Sequence, residues 1–487
     1  MLKMRDEERQ DNPPVDESAG NGATSPGIPG DGLPVPRRIW AIVAMSFGNA
    51  LLVIDGSIPN VALPTIAREL AVGEGVVTNV VTIYQMVMVM GLLPFAALGD
   101  RVGHRRLYQF GQLIFCIASA LCIFVNDFGS LLLLRTAQAL GASMALSVAV
   151  PVLRETYPEK SLGGGLGFNS VVIASAAALA PTLGGLIVAY YPWQAVFAVA
   201  APLAVISLLL GRALPDPRPK PDRADWIGGL WSALTVGLLI GGLQLAAHAA
   251  NPWPGAFLAL AGVVSIVLLV RRERRRARPV VPVDLLAMPA IGLSALAAMA
   301  VFCAIAALLL SLPFVLEEGR GYAPNEVGML LMPFPLAMLV VAPLAGWLSD
   351  HVAPTKLGVP GLMVAICGLY LLAFMPESVG PAGIAWRLAL TAAGFGFFLA
   401  PNSRLMIGSA PLDRSAAAGS VLSTSRLLGQ TMAATLVGVL LALGMGLGPV
   451  PMLVAALLAV LAMVCSMVRF RTVRAQRMAR HMVEPGI

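Results

Sequence analysis

Four charged side chains stand inside long apolar runs of this sequence: Asp55, Arg135, Arg387 and Arg426. A carboxylate in such surroundings can take up and release a proton, because burial raises its pKa and a neighbouring guanidinium lowers it. Asp55 with Arg135 therefore reads as a proton site and its counter-ion, or as a static pair that pins two helices. Arg387 and Arg426 have no carboxylate at similar depth to balance them, so each is a candidate for holding an anionic group of a ligand. Arg387 can equally pack as the positional counterpart of Arg135. Asn60, Tyr84 and Gln85 are polar or amphipathic at membrane depth and either line a cavity or bond between helices. Glu317 and Glu318 close another apolar run, as a second proton or cation site or as an ordinary wet helix end.

The runs that hold these residues set the class of the protein. Of 487 residues, 57% are hydrophobic and 12% charged, where a soluble domain carries about 25% charged residues. A wet surface of ordinary polarity cannot be built from that mixture, which excludes a soluble enzyme, and the apolar excess equally excludes a disordered chain. The net charge of +7 is scattered among apolar segments rather than gathered on one face, so it does not indicate nucleic acid. A membrane helix needs about 20 mostly apolar residues. Fourteen such runs are legible, at about 39–58, 76–98, 107–125, 129–152, 164–190, 193–212, 226–247, 253–270, 289–312, 325–347, 357–375, 382–400, 415–444 and 449–468. A charge at the centre of such a helix costs about 2.5–3.5 kcal/mol on insertion scales, so the four intramembrane charges need a reason. At a rise of ~1.5 Å per residue, Asp55 and Arg135 fall in the same outer-half layer.

Of the 33 Lys and Arg residues, 28 fall on the side of the N terminus, two (Arg68 and Arg320) on the opposite side and three inside spans. That asymmetry predicts cytoplasmic N and C termini. The expected organisation is a disordered cytoplasmic tail over 1–36, a six-helix half over 37–212, two linker helices over 213–280, a second six-helix half over 281–470 and a cytoplasmic tail over 471–487. The basic run Arg271–Arg278 suits contact with anionic lipid. Cys116, Cys122, Cys303, Cys367 and Cys465 all lie in apolar runs with no metal-ligand spacing.

The two halves repeat. Span 2 ends in Pro94 through Asp100 to Arg106 and Leu107, and span 10 ends in Pro343 through Asp350 to Lys356 and Leu357. Parallel halves with a site between them are a transporter plan. The loop Asp100-Arg101-Val102-Gly103-His104-Arg105-Arg106 resembles the signature between spans 2 and 3 of the major facilitator superfamily. Ile54-Asp55 through Asn60 to Pro64, Leu134-Arg135 through Gln138 to Gly141, and Ala180-Pro181 through Gly184-Gly185 resemble motifs of its 14-span drug:proton antiporter branch. Asp225-Trp226-Ile227-Gly228 fits the first of that branch's two extra helices. Ala96 and Ala180 depart from the family pattern, standing where Gly is usual.

The resemblance implies an all-α integral membrane protein of the major facilitator fold, with two six-helix halves plus two linker helices, 14 transmembrane helices in total. It implies proton coupling through Asp55 and Arg135. Asp100, Arg101, Gly103, Arg105 and Asp350 would form a conformational latch, with Arg105 and Arg106 also serving topology. Pro181, Gly184 and Gly185 would form a kink or packing seam that governs leak and alternation. The expected activity is proton-coupled export of amphipathic drugs or similar small molecules across a bacterial inner membrane, working as a monomer. The alternative is a specific exporter of an anionic or zwitterionic metabolite. No cofactor or metal is implied, since the proton gradient drives the cycle, and no nucleic-acid partner is expected. HExxH, GxSxG and GxxxxGK[ST] patterns are absent, which speaks against an enzyme and against an ATP-driven pump.

Overall fold

The computed structural model describes residues 33–157, 162–215, 225–248, 251–276, 281–349, 351–411 and 414–483. No strand occurs among them. Span 1 is two helices, α1 (Val35–Ser57) and α2 (Pro59–Glu69). Pro59 has no N–H, so the carbonyl of Asp55 loses its usual donor four residues on, and the helix breaks one turn past the acid. The first half continues with α3 (Asn79–Val102), α4 (His104–Leu121), α5 (Phe128–Thr156), α6 (Leu162–Tyr190) and α7 (Ala200–Leu210). Then come α8 (Trp226–His248) and α9 (Trp253–Glu273). The second half holds α10 (Pro289–Arg320), α11 (Pro324–Leu331), α12 (Pro333–Leu348), α13 (Pro354–Ala373), α14 (Pro381–Gly408), α15 (Ser415–Ala442) and α16 (Val450–Val483).

Thirteen spans among the described residues are long and apolar enough to cross a membrane. The remaining expected run is α6, which carries the shorter apolar stretch Ser175–Tyr190. Proline opens α10, α11, α12, α13 and α14, a first-turn position where its missing N–H costs nothing. Gly103, at φ +98°, reverses the chain between α3 and α4 in a conformation that a side chain would strain. The last helix runs past its apolar stretch to Val483, because Arg, Ala, Gln and Met in 471–483 are good helix formers. Of the expected N-terminal tail, 1–32 lie outside the described residues, and helix begins already at Val35.

Contacts fix the relative direction of the halves. Leu33 N–H donates to the Thr156 carbonyl, and Arg37 donates to the carbonyls of Ala213 and Leu214. The starts of α1 and the ends of α5 and α7 thus share one side, here called the terminal side. At the other end, the far side, Arg68 of α2 meets Glu317 and Glu318 at the end of α10. The last membrane turns of α16 return to the terminal side, where Arg469 reaches Ser294 and Asn402.

Burial is unequal along this axis. One buried cluster joins the halves at the far side, with Ile58, Ile66 and Val77 of the first packed with Phe314, Val437 and Leu441 of the second. At the terminal side the clusters belong to one half each: Leu107, Met144 and Val152 in the first, Ile291, Met406 and Val421 in the second. The described arrangement is closed at its far side.

Helices α8 and α9 pair with each other, and α8 leans on α3 where Gly229 rests against the backbone of Pro94. Their terminal-side ends are tied by Asp225, which accepts from the Gly228 N–H at 3.0 Å and from Arg272 at 3.0 Å and pairs with Arg276 at 2.9 Å. Burial opposes the charge on Asp225, but the Arg272 and Gly228 hydrogen bonds and the two guanidinium charges outweigh it and hold the carboxyl below its ordinary range. Trp253, Phe257, Leu260, Val263 and Val267 of α9 are exposed, a face suited to acyl chains.

Candidate functional site

Asp55 sits in the last turn of α1 and Arg135 two turns into α5, and both are about 99% buried. One terminal nitrogen of Arg135 donates to both carboxylate oxygens of Asp55, at 3.0 and 2.9 Å. The same nitrogen donates to Gln138 at 2.9 Å, and Nε reaches the Val80 carbonyl at 3.3 Å. Gln138 in turn donates to Ser119 at 2.8 Å. The guanidinium lies 4.0 Å from the centre of the Tyr84 ring and 5.1 Å from that of Phe197, where ring quadrupoles attract a cation. Arg135 therefore keeps several partners of its own, whereas Asp55 depends chiefly on Arg135.

Gly141, one turn beyond Gln138, lets α5 approach α4. A Cβ there would meet the Gly111 carbonyl oxygen, and one on Gly111 would meet the Gly141 carbonyl oxygen. The glycine pair brings two backbones together and so sets Ser119 and Gln138 beside each other.

A cavity of about 430 Å³ lies between the halves. Its walls are mostly apolar, with Phe302, Phe334 and Met338 from the second half facing Leu52, Val53 and Met88 from the first. Asn60, Tyr84, Gln85 and Arg426 all line it, so four of the residues expected in a cavity are brought together there. Tyr84 has two roles in this geometry, since it lines the cavity and its ring lies against the Arg135 guanidinium. Pro181 of α6 also lines the cavity.

Arg387 and Glu317 stand elsewhere. Arg387 donates to the Gly383 carbonyl at 2.7 Å, one turn back along its own helix, and lies 4.6 Å from the Trp386 ring centre. Its side chain runs toward the far side, as a long cation near a helix end does, and not into the cavity. Glu317 is buried, but its partner is Arg68 at 3.6 Å, which also donates to Glu318 at 3.1 Å. The two acids form a bridge between α2 and α10 at the closed end.

Of the expected latch, Asp100 pairs with His104 at 3.2 Å, and His104 lies 3.4 Å from Glu155 of α5. Asp100 thus joins α3 to α4 and, through His104, to α5. Arg101 is exposed and Gly103 makes the turn, while Arg105 is half-buried in the first turn of α4. Asp350 lies outside the described residues. Gly184 and Gly185 of α6 mark two seams. A Cβ on Gly184 would fall 3.0 Å from the Ile58 carbonyl oxygen, and one on Gly185 would fall 2.5 Å from the Pro324 carbonyl oxygen and 3.1 Å from Cα of Gly328.

Sequence reasoning missed Gln138 as a direct partner of Arg135, Arg68 as a bridge, and Gln430 on the cavity wall. The signal for Gln430 was present, since it follows Arg426 by four residues and so shares its helix face.

The profile of the Major Facilitator Superfamily matches residues 45–434 and 294–484. The chain belongs to the major facilitator superfamily. It is 38% identical over 455 residues to the uncharacterized transporter YebQ of Escherichia coli, covering 93% of this chain and all of that one. It is 28% identical over 412 residues to multidrug resistance protein Stp of Mycobacterium tuberculosis, covering 83% of this chain and 76% of Stp. It is 27% identical over 397 residues to the riboflavin transporter RibZ of Clostridioides difficile, covering 80% and 85%. The fold is similar to a crystal structure of the peptide transporter POT, with a TM-score of 0.67 at 16% identity over 91% of this chain and 95% of that one. The protein is a multi-pass membrane transporter, not an enzyme.

One expected result follows for the far-side bridge. Arg68 is half-exposed, and exposed pairs contribute about 0–1 kcal/mol. An Arg68→Ala variant should lose no more than severalfold in initial transport rate. Arg68→Glu should lose clearly more, because it sets a third carboxylate beside Glu317 and Glu318. Rate measurements on the two variants side by side check the ordering.

Proposed function

We propose that this transporter is a proton-driven exporter of amphipathic small molecules, with cytoplasmic termini in a bacterial inner membrane. The carrying observation is the position of Tyr84, which lines a largely apolar cavity shared by both halves and lies with its ring 4.0 Å from the guanidinium of the buried Asp55–Arg135 pair. In this reading cargo enters from the terminal side, where the buried clusters do not bridge the halves. Protonation of Asp55 removes the charge that Arg135 holds, while Arg135 retains Gln138, the Val80 carbonyl and the Tyr84 ring. Opening the pair shifts the ring against it, so the proton site and the cargo wall move through one side chain. Relatives named for multidrug resistance and drug efflux, Stp and JefA, support the export direction.

Everted membrane vesicles from cells producing the chain test the reading. Acidifying their interior by respiration should drive accumulation of fluorescent amphipathic dyes, and a proton uncoupler should collapse it. Accumulation that survives the uncoupler would sink the proposal.

A further inference from the structure

We infer that the cargo is an amphipathic organic acid whose anionic group is received by Arg426; this deepens the export reading above and rests on the cavity being the cargo site. Arg426 belongs to α15 and lines the cavity. Among the described residues it makes no hydrogen bond and no ion pair, which sets it apart from the other arginines of the bundle interior. Arg135 has Asp55, Arg387 has the Gly383 carbonyl, and Arg469 has Ser294 and Asn402. Among the described residues, no Asp or Glu lines the cavity. The carboxylate of Asp55 is held by Arg135, and Glu317 and Glu318 are held at the far side by Arg68.

A guanidinium does not shed its proton in a protein, so an unpaired one in apolar surroundings lacks the counter-charge that buried charges require. Its planar fork matches a carboxylate, sulfonate or phosphate through two parallel hydrogen bonds. A second observation adds detail on the opposite wall. Gln85 is more than nine-tenths buried, and among the described residues neither its side-chain oxygen nor that of Asn60 has a hydrogen-bond donor. Both residues line the cavity, but these two oxygens are themselves closed off from it, so they add polarity to that wall and no direct contact with a ligand. Phe302, Phe334 and Met338 supply apolar surface in the same cavity for a flat body attached to the charged group. The cargo class is therefore an acid with an apolar ring system. A permanent cation of the same shape would be brought against Arg426 with no carboxylate in the cavity to offset it.

The charge balance gives an independent readout. Moving a monoanion out while one proton moves in carries two positive charges inward per cycle. Moving a monocation out for one proton carries none.

Proteoliposomes of the full chain, loaded with a proton gradient, test this with two dyes that share a xanthene ring: fluorescein, an anion with phenolic oxygen, and rhodamine 123, a cation. Wild type should move fluorescein, and a potassium–valinomycin potential, negative on the side from which the dye is taken, should speed it. Arg426→Gln should slow fluorescein by roughly ten- to hundredfold, the range for a lost charged hydrogen bond, with Arg426→Lys retaining part of the rate and rhodamine 123 not slowed. If wild type moves rhodamine 123 and not fluorescein, or Arg426→Gln slows both dyes equally, acid recognition is overturned while export stands. If neither dye moves, and no proton release accompanies either, the export reading falls and this inference with it. The wild-type dye preference and its dependence on potential need no variant, so a misfolded Arg426→Gln does not rescue the idea.

Discussion

Replacing Asp55 with asparagine is expected to lower gradient-driven transport by at least about a hundredfold while leaving a folded protein. The asymmetry of the buried pair is the reason. Arg135 donates to Gln138 and to the Val80 carbonyl and lies over the Tyr84 ring, so it keeps polar and cation–π contacts when the carboxylate is gone. Asparagine also retains an oxygen that can accept from the same Arg135 nitrogen. What it cannot do is exchange a proton. Removing the cation instead leaves a buried carboxylate alone, and breaking a buried pair in that way costs about 3–5 kcal/mol unless the group protonates. Arg135→Ala should therefore lower the melting temperature more than Asp55→Asn does. Melting curves of both variants, together with dye-driven proton release from proteoliposomes, separate the two readings of the pair. A static pin predicts the reverse pattern for Asp55→Asn, with stability lost and proton-driven transport kept, and that result would overturn the proton role.

The depth of Asp55 and Arg135 was legible because helical rise is regular and buried charges seek each other, so two residues 80 apart in sequence could be paired on physical grounds alone. Rotation about the helix axis was not legible in the same way. Arg387 has the depth of a cavity residue, yet its guanidinium bonds Gly383 on its own helix, because depth says nothing about which face looks inward. Glu317 shows the same limit, since its partner Arg68 comes from the helix that Pro59 redirects, and the direction of that short segment follows from tertiary contact. Arg469, counted from its sequence as a terminal-side loop charge, is buried against Ser294 and Asn402. A basic residue just past an apolar run looks the same whether the helix stops there or, as α16 does, continues. The latch was legible as a turn, through Gly103, but its His104–Glu155 link joins two helices whose facing sides only the packed structure defines.

The glycines of α6 carry the second large expected effect, and their neighbours distinguish two jobs that the motif alone does not. Gly185 meets the other half, since an added Cβ would press on the carbonyl of Pro324 and on Gly328. Gly184 faces its own half, at the Ile58 carbonyl in the break between α1 and α2. Both obstacles are backbone, which cannot step aside as a flexible side chain can. Overpacking of this kind costs about 1–3 kcal/mol, and every ~1.4 kcal/mol shifts a two-state balance tenfold. At Gly185 that cost falls on the closed far side alone, because opening the halves relieves it. Gly185→Leu should then shift the protein toward a far-side-open state and slow transport by roughly tenfold or more. The readout is a cysteine at Ser57, a cavity-lining position, in a chain with the five native cysteines replaced by alanine. A membrane-impermeant maleimide applied from the far side should label it at least about tenfold faster when Gly185 is leucine. Gly184→Leu should behave otherwise, lowering the melting temperature without speeding the label, because both partners of that contact travel together in one half. Equal labelling in the two variants would mean that the α6–α11 contact does not hold the far side shut, and the alternation assigned to this seam would have to reside elsewhere.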